Sequence, residues 1–260
     1  MKKTIVVAVA LLILSVAAQF ELKRARNAVA PALTEGAYAA LGGLRSMAAE
    51  VIWFRADRLQ AEGRYVELAE LTDLLTRMEP HTPEVWSYAA WNLAYNVSSM
   101  MPMPEDRWRW VLAGMRLLRD EGLALNPGDP EITHELAWLF ELKLAADLDS
   151  AAAVYRMRWR ELVEDARVRG AWKELGMDER KMREVEAEGW RWRDQVRTRK
   201  PEFMNTFTSP TVFGDWTDPA LSAVYWAMEG LARANSVERK RLESVIFESF
   251  VLYANRHEFR

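Results

Sequence analysis

His134 and Glu135 are adjacent in this chain, and their side chains could together move a proton. Adjacent residues of a helix point in different directions, so the pair cannot easily act on one atom. The other histidines, His81 and His257, lie far away in sequence, and no H-E-x-x-H pattern occurs. We therefore predict a non-enzyme with no metal site and no cofactor. Catalysis would require carboxylates that meet from distant positions.

Tryptophan and arginine alternate in three short stretches, at 107–110, 156–160 and 190–193. Aromatic and basic side chains together can bind nucleic acid. On a helix, however, the tryptophans would face the core while the arginines pair with nearby acidic residues. The net charge is −3, which gives no electrostatic footprint for nucleic acid. We predict that the chain binds none.

The composition favours helices over strands. The 260 residues include 12 glycines and 10 prolines, fewer than a sheet with frequent tight turns requires. Alanine, leucine, glutamate and arginine fill the long segments, and all four form helices readily. The absence of cysteine excludes disulfides, a thiolate nucleophile and thiolate-bound zinc. The sequence thus predicts an all-α protein.

The N-terminus carries a membrane signal. Lys2 and Lys3 precede an uncharged run of about 17 residues, near the shortest length that spans a bilayer as a helix. Small residues at 16–18 fit a cleaved signal peptide, whereas basic residues at 23–26 fit a retained anchor. We interpret 1–26 as an anchor or signal segment and 27–39 as a spacer. The expected protein crosses the membrane once, with the bulk of the chain outside the cytoplasm.

Hydrophobic periodicity predicts the remaining elements. Helices are expected at 40–61, 65–78, 83–96, 105–125, 130–146, 150–168, 219–234 and 237–256. The charged stretch 178–199 is an exposed helix or a linker, and 97–104 and 201–219 are predicted loops. Asp149 or Ser150, Asp218 and Ser236 are the expected caps of the helices that follow them.

Glycine, tyrosine and proline punctuate these helices in a repeating manner. Gly63-Arg64-Tyr65 opens a helix that Pro80 closes, and Trp86 lies near the start of the next helix. This pattern resembles the tetratricopeptide (TPR) repeat. A second unit ends at Pro127, 47 residues after Pro80, and a third over 130–170 keeps only the small residue Ala137. The resemblance implies TPR-like α-α hairpins in a right-handed solenoid over 40–170, followed by a helical extension over 171–260.

Five segments strengthen the comparison: 41–45, 53–57, 91–96, 105–110 and 119–123. They resemble a group of bacterial membrane-anchored TPR-like proteins without an established activity. The resemblance therefore implies an anchor and a fold, and supplies no chemistry.

In TPR folds the first helix of each pair lines a groove that holds a partner. Transferred to this chain, the resemblance implies a groove formed by Trp53, Asp57, Gln60, Ser87, Trp91, Asn92, Tyr95, His134, Trp138 and Glu141. Two alternatives stay open. The tryptophans could instead pack in the core, and Asn92 could hydrogen-bond between helices rather than to a peptide backbone.

Two functions follow from this groove. The first is a membrane-anchored scaffold that binds a protein or peptide partner in a bacterial cell-envelope assembly. The alternative is a protein that binds or processes an envelope glycan, because the chain has 12 tryptophans and carboxylates lie at Asp57, Glu135 and Glu141.

Overall fold

The computed structural model describes residues 49–199 and 214–257, without the side chains of 190, 191, 193, 194, 196 and 197. The chain divides into two units, 1–51 and 52–260, and the contacts described below lie within the second. The predicted anchor, the spacer and the start of the first helix lie outside the described residues. In the described ranges every regular element is a helix, so the all-α prediction is confirmed. None of these described helices is long and apolar enough to cross a membrane.

The described part of the chain contains nine helices. They are α1 (49–61), α2 (Tyr65–Met78), α3 (Pro83–Trp91, continuing as Asn92–Val97 and Ser98–Met100), α4 (Pro104–Arg116, continuing as Leu117–Gly122 and Leu123–Leu125), α5 (Pro130–Trp138, continuing as Leu139–Ala145), α6 (Ala152–Arg169), α7 (Glu179–Arg199), α8 (Pro219–Leu231) and α9 (Ser236–His257). The middle part of α3 and α4 and the last part of α5 are π-helical. A short 3₁₀ turn, Trp172–Leu175, follows α6.

The end of α3 differs from the prediction. The sequence predicts a loop over 97–104, but the helix continues to Met100 and only 101–103 are non-helical. Val97 and Ser98 are fully buried, and the Ser98 hydroxyl donates to the carbonyl oxygen of Ala94. Pro102 then holds Met101 in an extended conformation, which stops the helix.

Side-chain caps define several helix starts. Asp129 accepts hydrogen bonds from the backbone N–H groups of Glu131 and Ile132 at the start of α5, and Asp218 caps α8 in the same way. The cap of α9 is Asn235 rather than the expected Ser236. The Asn235 side chain accepts hydrogen bonds from the backbone N–H groups of residues 237 and 238. Asn235 and Glu238 together form a capping box, because Glu238 accepts from the Asn235 N–H.

The first six helices pair as α1–α2, α3–α4 and α5–α6. Gly114 allows α4 to approach α3 closely, since a Cβ there would lie 2.8 Å from the carbonyl oxygen of Ala90. Gly122 of α4 lies against both Trp86 of α3 and Ile132 of α5. The starts of α3 and α5 therefore lie near each other. Because Tyr95 and Trp138, further along the two helices, also lie within 5.7 Å, the helices run in the same direction.

A sequence pattern accompanies this arrangement. The segments 80–91 and 127–138 both read P-x-x-P-E-[V/I]-x-x-x-x-A-W, 47 residues apart. In each segment the second proline occupies the first turn of the helix and the alanine is fully buried. Equivalent residues thus occupy equivalent positions in α3 and α5.

The hairpin α8–α9 packs on α5 at both ends. Arg233, just after α8, donates to the Pro127 carbonyl oxygen before α5, and Arg256 of α9 donates to the Ala145 carbonyl oxygen at the end of α5. Arg256 also pairs with Asp218 at the start of α8. Helix α8 therefore runs antiparallel to α5, whereas α9 runs parallel to it.

Candidate functional site

Five aromatic side chains form a continuous row across three helices. The ring of Trp53 on α1 lies 5.2 Å from that of Tyr88 on α3, and Tyr88 lies 6.3 Å from Trp91. Trp91 lies 6.3 Å from Tyr95, and Tyr95 lies 5.7 Å from Trp138 on α5. Each of these five residues is partly exposed. We call this surface the aromatic row.

Helix geometry and helix direction together build the row. Tyr88, Trp91 and Tyr95 follow one another at spacings of three and four residues, which places them on one face of α3. Trp53 also packs against the small core between α1 and α2. Trp138 joins at the other end because α5 runs in the same direction as α3. The row therefore depends on all three helices.

The row contains four of the predicted groove residues: Trp53, Trp91, Tyr95 and Trp138. Sequence reasoning missed Tyr88, although its spacing of three and seven residues from Trp91 and Tyr95 was a visible signal. The Tyr88 hydroxyl donates a 2.6 Å hydrogen bond to Gln60 Oε1, which places that predicted residue beside the row.

Two of the predicted groove residues on α3 are buried. Asn92 is 0% exposed, and its amide donates to the carbonyl oxygen of Tyr65 while its oxygen accepts from Asn96. This is the interhelical arrangement, and because Asn92 is fully buried its amide does not face a partner's backbone. Ser87 is also buried, and its hydroxyl has no hydrogen-bond partner among the described residues.

Helix α9 covers two further predicted residues. The Arg241 guanidinium lies 3.3 Å from His134 Nδ1 and forms a 2.9 Å ion pair with Glu131. Burial and the Arg241 charge lower the pKa of His134 to about 4. Glu141 is 6% exposed, and burial together with Glu248 of α9 raises its pKa to about 8. His134 and Glu141 thus lie against α9, away from an open groove.

The charges of acidic residues act on two rings of the row, Tyr88 and Tyr95. Asp57 is exposed near Tyr88, whose pKa is raised by burial and by the Asp57 charge. At the other end, burial and the charges of Glu135 and Glu141 raise the pKa of Tyr95. Burial and nearby Glu131 in turn raise the pKa of Glu135 to about 7.

One cation touches the described row. The Lys143 ammonium lies 4.7 Å from the centre of the Tyr95 ring. It also forms a 2.7 Å ion pair with Asp149, whose pKa is lowered because the pairing outweighs its burial. Asp149 further accepts from the Tyr155 hydroxyl and lies 3.6 Å from Arg107. Lys143 is thus held in a network that joins α4, α5 and α6.

The described residues do not assemble a metal site, since no three histidine or acidic side chains among them converge. His134 turns toward Arg241, so it does not act with Glu135 on a common atom. Comparison of the chain with protein-family models, with characterised proteins and with solved structures gives no match. The aromatic row is therefore the feature from which a function has to be argued.

Proposed function

We propose that this chain is a membrane-anchored, TPR-like scaffold that binds an extended segment of a partner protein along the aromatic row. The single observation that carries the proposal is the row itself. Its five partly exposed rings follow one another from α1 to α5, with neighbouring ring centroids 5.2–6.3 Å apart. Partly exposed tryptophan and tyrosine side chains commonly supply most of the binding energy at protein interfaces.

The dimensions of the row suit a short extended segment. Its rings follow a path of about 23 Å, which corresponds to about seven residues of extended chain. The rings belong to helices whose backbone groups are already paired, so recognition would rely on side chains. Rigid aromatic anchors lose little conformational entropy on binding.

Three observations support the TPR-like part of the proposal: the three consecutive hairpins, the parallel α3 and α5, and the pattern repeated at 47 residues. The apolar run after Lys3 supports an anchor, and its short basic start supports a location of the bulk outside the cytoplasm. An assembly of the bacterial cell envelope is the setting that this arrangement suits.

Aromatic rows can also stack against sugars, which keeps glycan binding as the competing function. Glycan processing has less support, because Glu135 and Glu141 are both more than nine-tenths buried. Titration of the full chain with soluble envelope glycans, followed by tryptophan fluorescence, separates the two. A saturable change that Trp91→Ala abolishes would favour the glycan over the peptide.

The proposal is tested by recovery of the partner from native membranes. The full chain carries an affinity tag, and recovered proteins are identified by mass spectrometry after crosslinking. The double variant Trp91→Ala/Trp138→Ala should lose the partner at least tenfold. Trp110→Ala, a partly exposed tryptophan of α4 outside the row, is the matched control. Equal recovery by the folded double variant would remove the row from the interface.

A further inference from the structure

Three indole N–H groups of the aromatic row have no hydrogen-bond partner in the described part of the chain. They belong to Trp53, Trp91 and Trp138, one on each of the three helices that build the row, and each of these side chains is partly exposed. The described indole nitrogens that are both buried and unbonded are those of Trp159 and Trp226. The three N–H groups of the row are therefore accessible to a partner.

The other polar groups of the row are already bonded or out of reach. The Tyr88 hydroxyl donates to Gln60 Oε1 at 2.6 Å. The Tyr95 hydroxyl is buried, and the Lys143 ammonium lies 4.7 Å from the centre of its ring. An indole N–H donates a hydrogen bond and cannot accept one. The free polar groups that the rings present to a partner are therefore donors.

This polarity decides which kind of chain can lie along the row. The main-chain groups of α1, α3 and α5 are paired within their helices, so they offer a partner no ladder of backbone hydrogen bonds. An ordinary peptide would bury its own N–H groups against the rings without an acceptor, which is unfavourable. Its carbonyl oxygens, in contrast, would meet the positive ends of the three indole N–H dipoles. The row is thus complementary to a segment that is rich in acceptors and poor in donors.

A proline-rich segment has this chemistry. Proline carries a carbonyl oxygen but no N–H, and a polyproline II helix has no internal hydrogen bonds, so its carbonyl groups are free to accept. Its fixed φ lowers the entropy lost on binding, and such segments dock on surfaces lined by aromatic side chains. The length of the row also fits. Its path of about 23 Å corresponds to about seven residues of polyproline II helix at 3.1 Å each.

We propose that the aromatic row binds a proline-rich segment of the partner in the polyproline II conformation. The inference rests on the proposed peptide-binding function of the row. Prolines pack against the open rings of Trp53, Tyr88, Trp91 and Trp138. Carbonyl oxygens of the segment accept hydrogen bonds from the three indole N–H groups. The segment needs no charge, so its affinity does not depend on salt.

The test uses the full chain and three fluorescently labelled nonapeptides. The first is nona-L-proline. The second is nona-D-proline, which has the same composition and the opposite handedness, and the third alternates serine and alanine. Fluorescence anisotropy should show nona-L-proline binding about tenfold more tightly than either control, with an affinity that stays the same as salt rises.

Variants assign the binding to the row. Trp91→Phe keeps an aromatic ring and removes the indole N–H, so it should weaken nona-L-proline binding by about fivefold. Trp91→Ala also removes the ring and should weaken it by more than about tenfold. Trp110→Phe, at a partly exposed tryptophan of α4 outside the row, is the matched control and should bind like wild type. Circular dichroism checks that each variant is folded.

The outcomes separate the inference from the proposed function. Equal binding of the L- and D-proline peptides, no binding of nona-L-proline, or unchanged binding by folded Trp91→Phe overturns the inference. It falls alone when the double variant Trp91→Ala/Trp138→Ala still loses the native partner. The proposed function fails separately, if that double variant recovers the native partner as well as wild type does.

Discussion

Asp218→Asn is expected to loosen the α8–α9 hairpin from α5. Asp218 is 6% exposed and accepts hydrogen bonds from the Ala220 N–H, from Arg256 Nε at 2.7 Å and from His257 Nε2 at 3.0 Å. Arg256 also donates to the Ala145 carbonyl oxygen at 2.6 Å. One carboxylate therefore joins the start of α8 to the end of α9 and, through Arg256, to the end of α5.

The magnitude follows from burial. Removing one partner of a fully buried ion pair costs about 3–5 kcal/mol. Arg256 is 24% exposed and His257 28% exposed, so we expect the lower value of about 2–3 kcal/mol for Asp218→Asn. The amide oxygen of the substituted asparagine would still accept from the helix backbone. Asp218→Ala also loses this cap and should cost about 1 kcal/mol more.

The pH dependence has a defined sign. Burial alone would raise the pKa of Asp218, but hydrogen bonds from His257 and Arg256 outweigh it and hold the pKa below 3.8. The pairing therefore stabilises the fold fully above about pH 4, and this contribution is lost as the pH falls through the folded-state pKa. The difference between wild type and Asp218→Asn should shrink between pH 6 and pH 3.

Urea unfolding followed by circular dichroism measures these free energies. Asn235→Ala is the control, because it removes only an exposed cap of the same hairpin and should cost about 1 kcal/mol. A cost of Asp218→Asn no greater than that of Asn235→Ala, or one that is the same at pH 6 and pH 3, would refute the reasoning.

Two further variants test packing and buried charge. Gly114→Ala places a Cβ 2.8 Å from the Ala90 carbonyl oxygen. We expect it to lower the free energy of unfolding in urea by about 1–3 kcal/mol. An unchanged urea midpoint would contradict this expectation. Glu141 has a folded-state pKa of about 8 through burial and Glu248, so ionisation destabilises the fold increasingly as the pH rises from 4.5 to 8. Glu141→Gln should therefore be more stable than wild type at pH 8.5 and nearly equal at pH 5. An identical difference at both pH values would contradict this assignment.

Local signals predict the helices well where they are decisive. The helix 65–78 is predicted with its bounds, because a glycine precedes it and a proline follows it. In the structure Gly63 has a positive φ of 69°, the conformation that glycine adopts readily. The end of α3 could not be located in the same way. Val97 and Ser98 stay helical because they are buried within the fold, and sequence periodicity does not show such burial.

The candidate site, like the helices, can be predicted only in part from the sequence. The TPR resemblance, together with the spacing of residues along α1, α3 and α5, selects Trp53, Trp91, Tyr95 and Trp138. The packing of α9 against His134 and Glu141 could not be predicted, because α9 lies about 100 residues later in the chain. Its docking depends on Arg241, Arg256 and other distant contacts. The repeated P-x-x-P-E pattern is visible in the sequence and indicates the equivalence of α3 and α5.

Site-specific photocrosslinking tests the central claim most directly. A benzophenone amino acid replaces Tyr88 in the full chain, in native membranes, and Val168 on α6, which is 83% exposed, is replaced as the control. Irradiation followed by mass spectrometry should identify a peptide of one partner protein joined at position 88 and absent at position 168. Crosslinks at position 88 only to glycan, or the same proteins at both positions, would contradict peptide binding along the aromatic row.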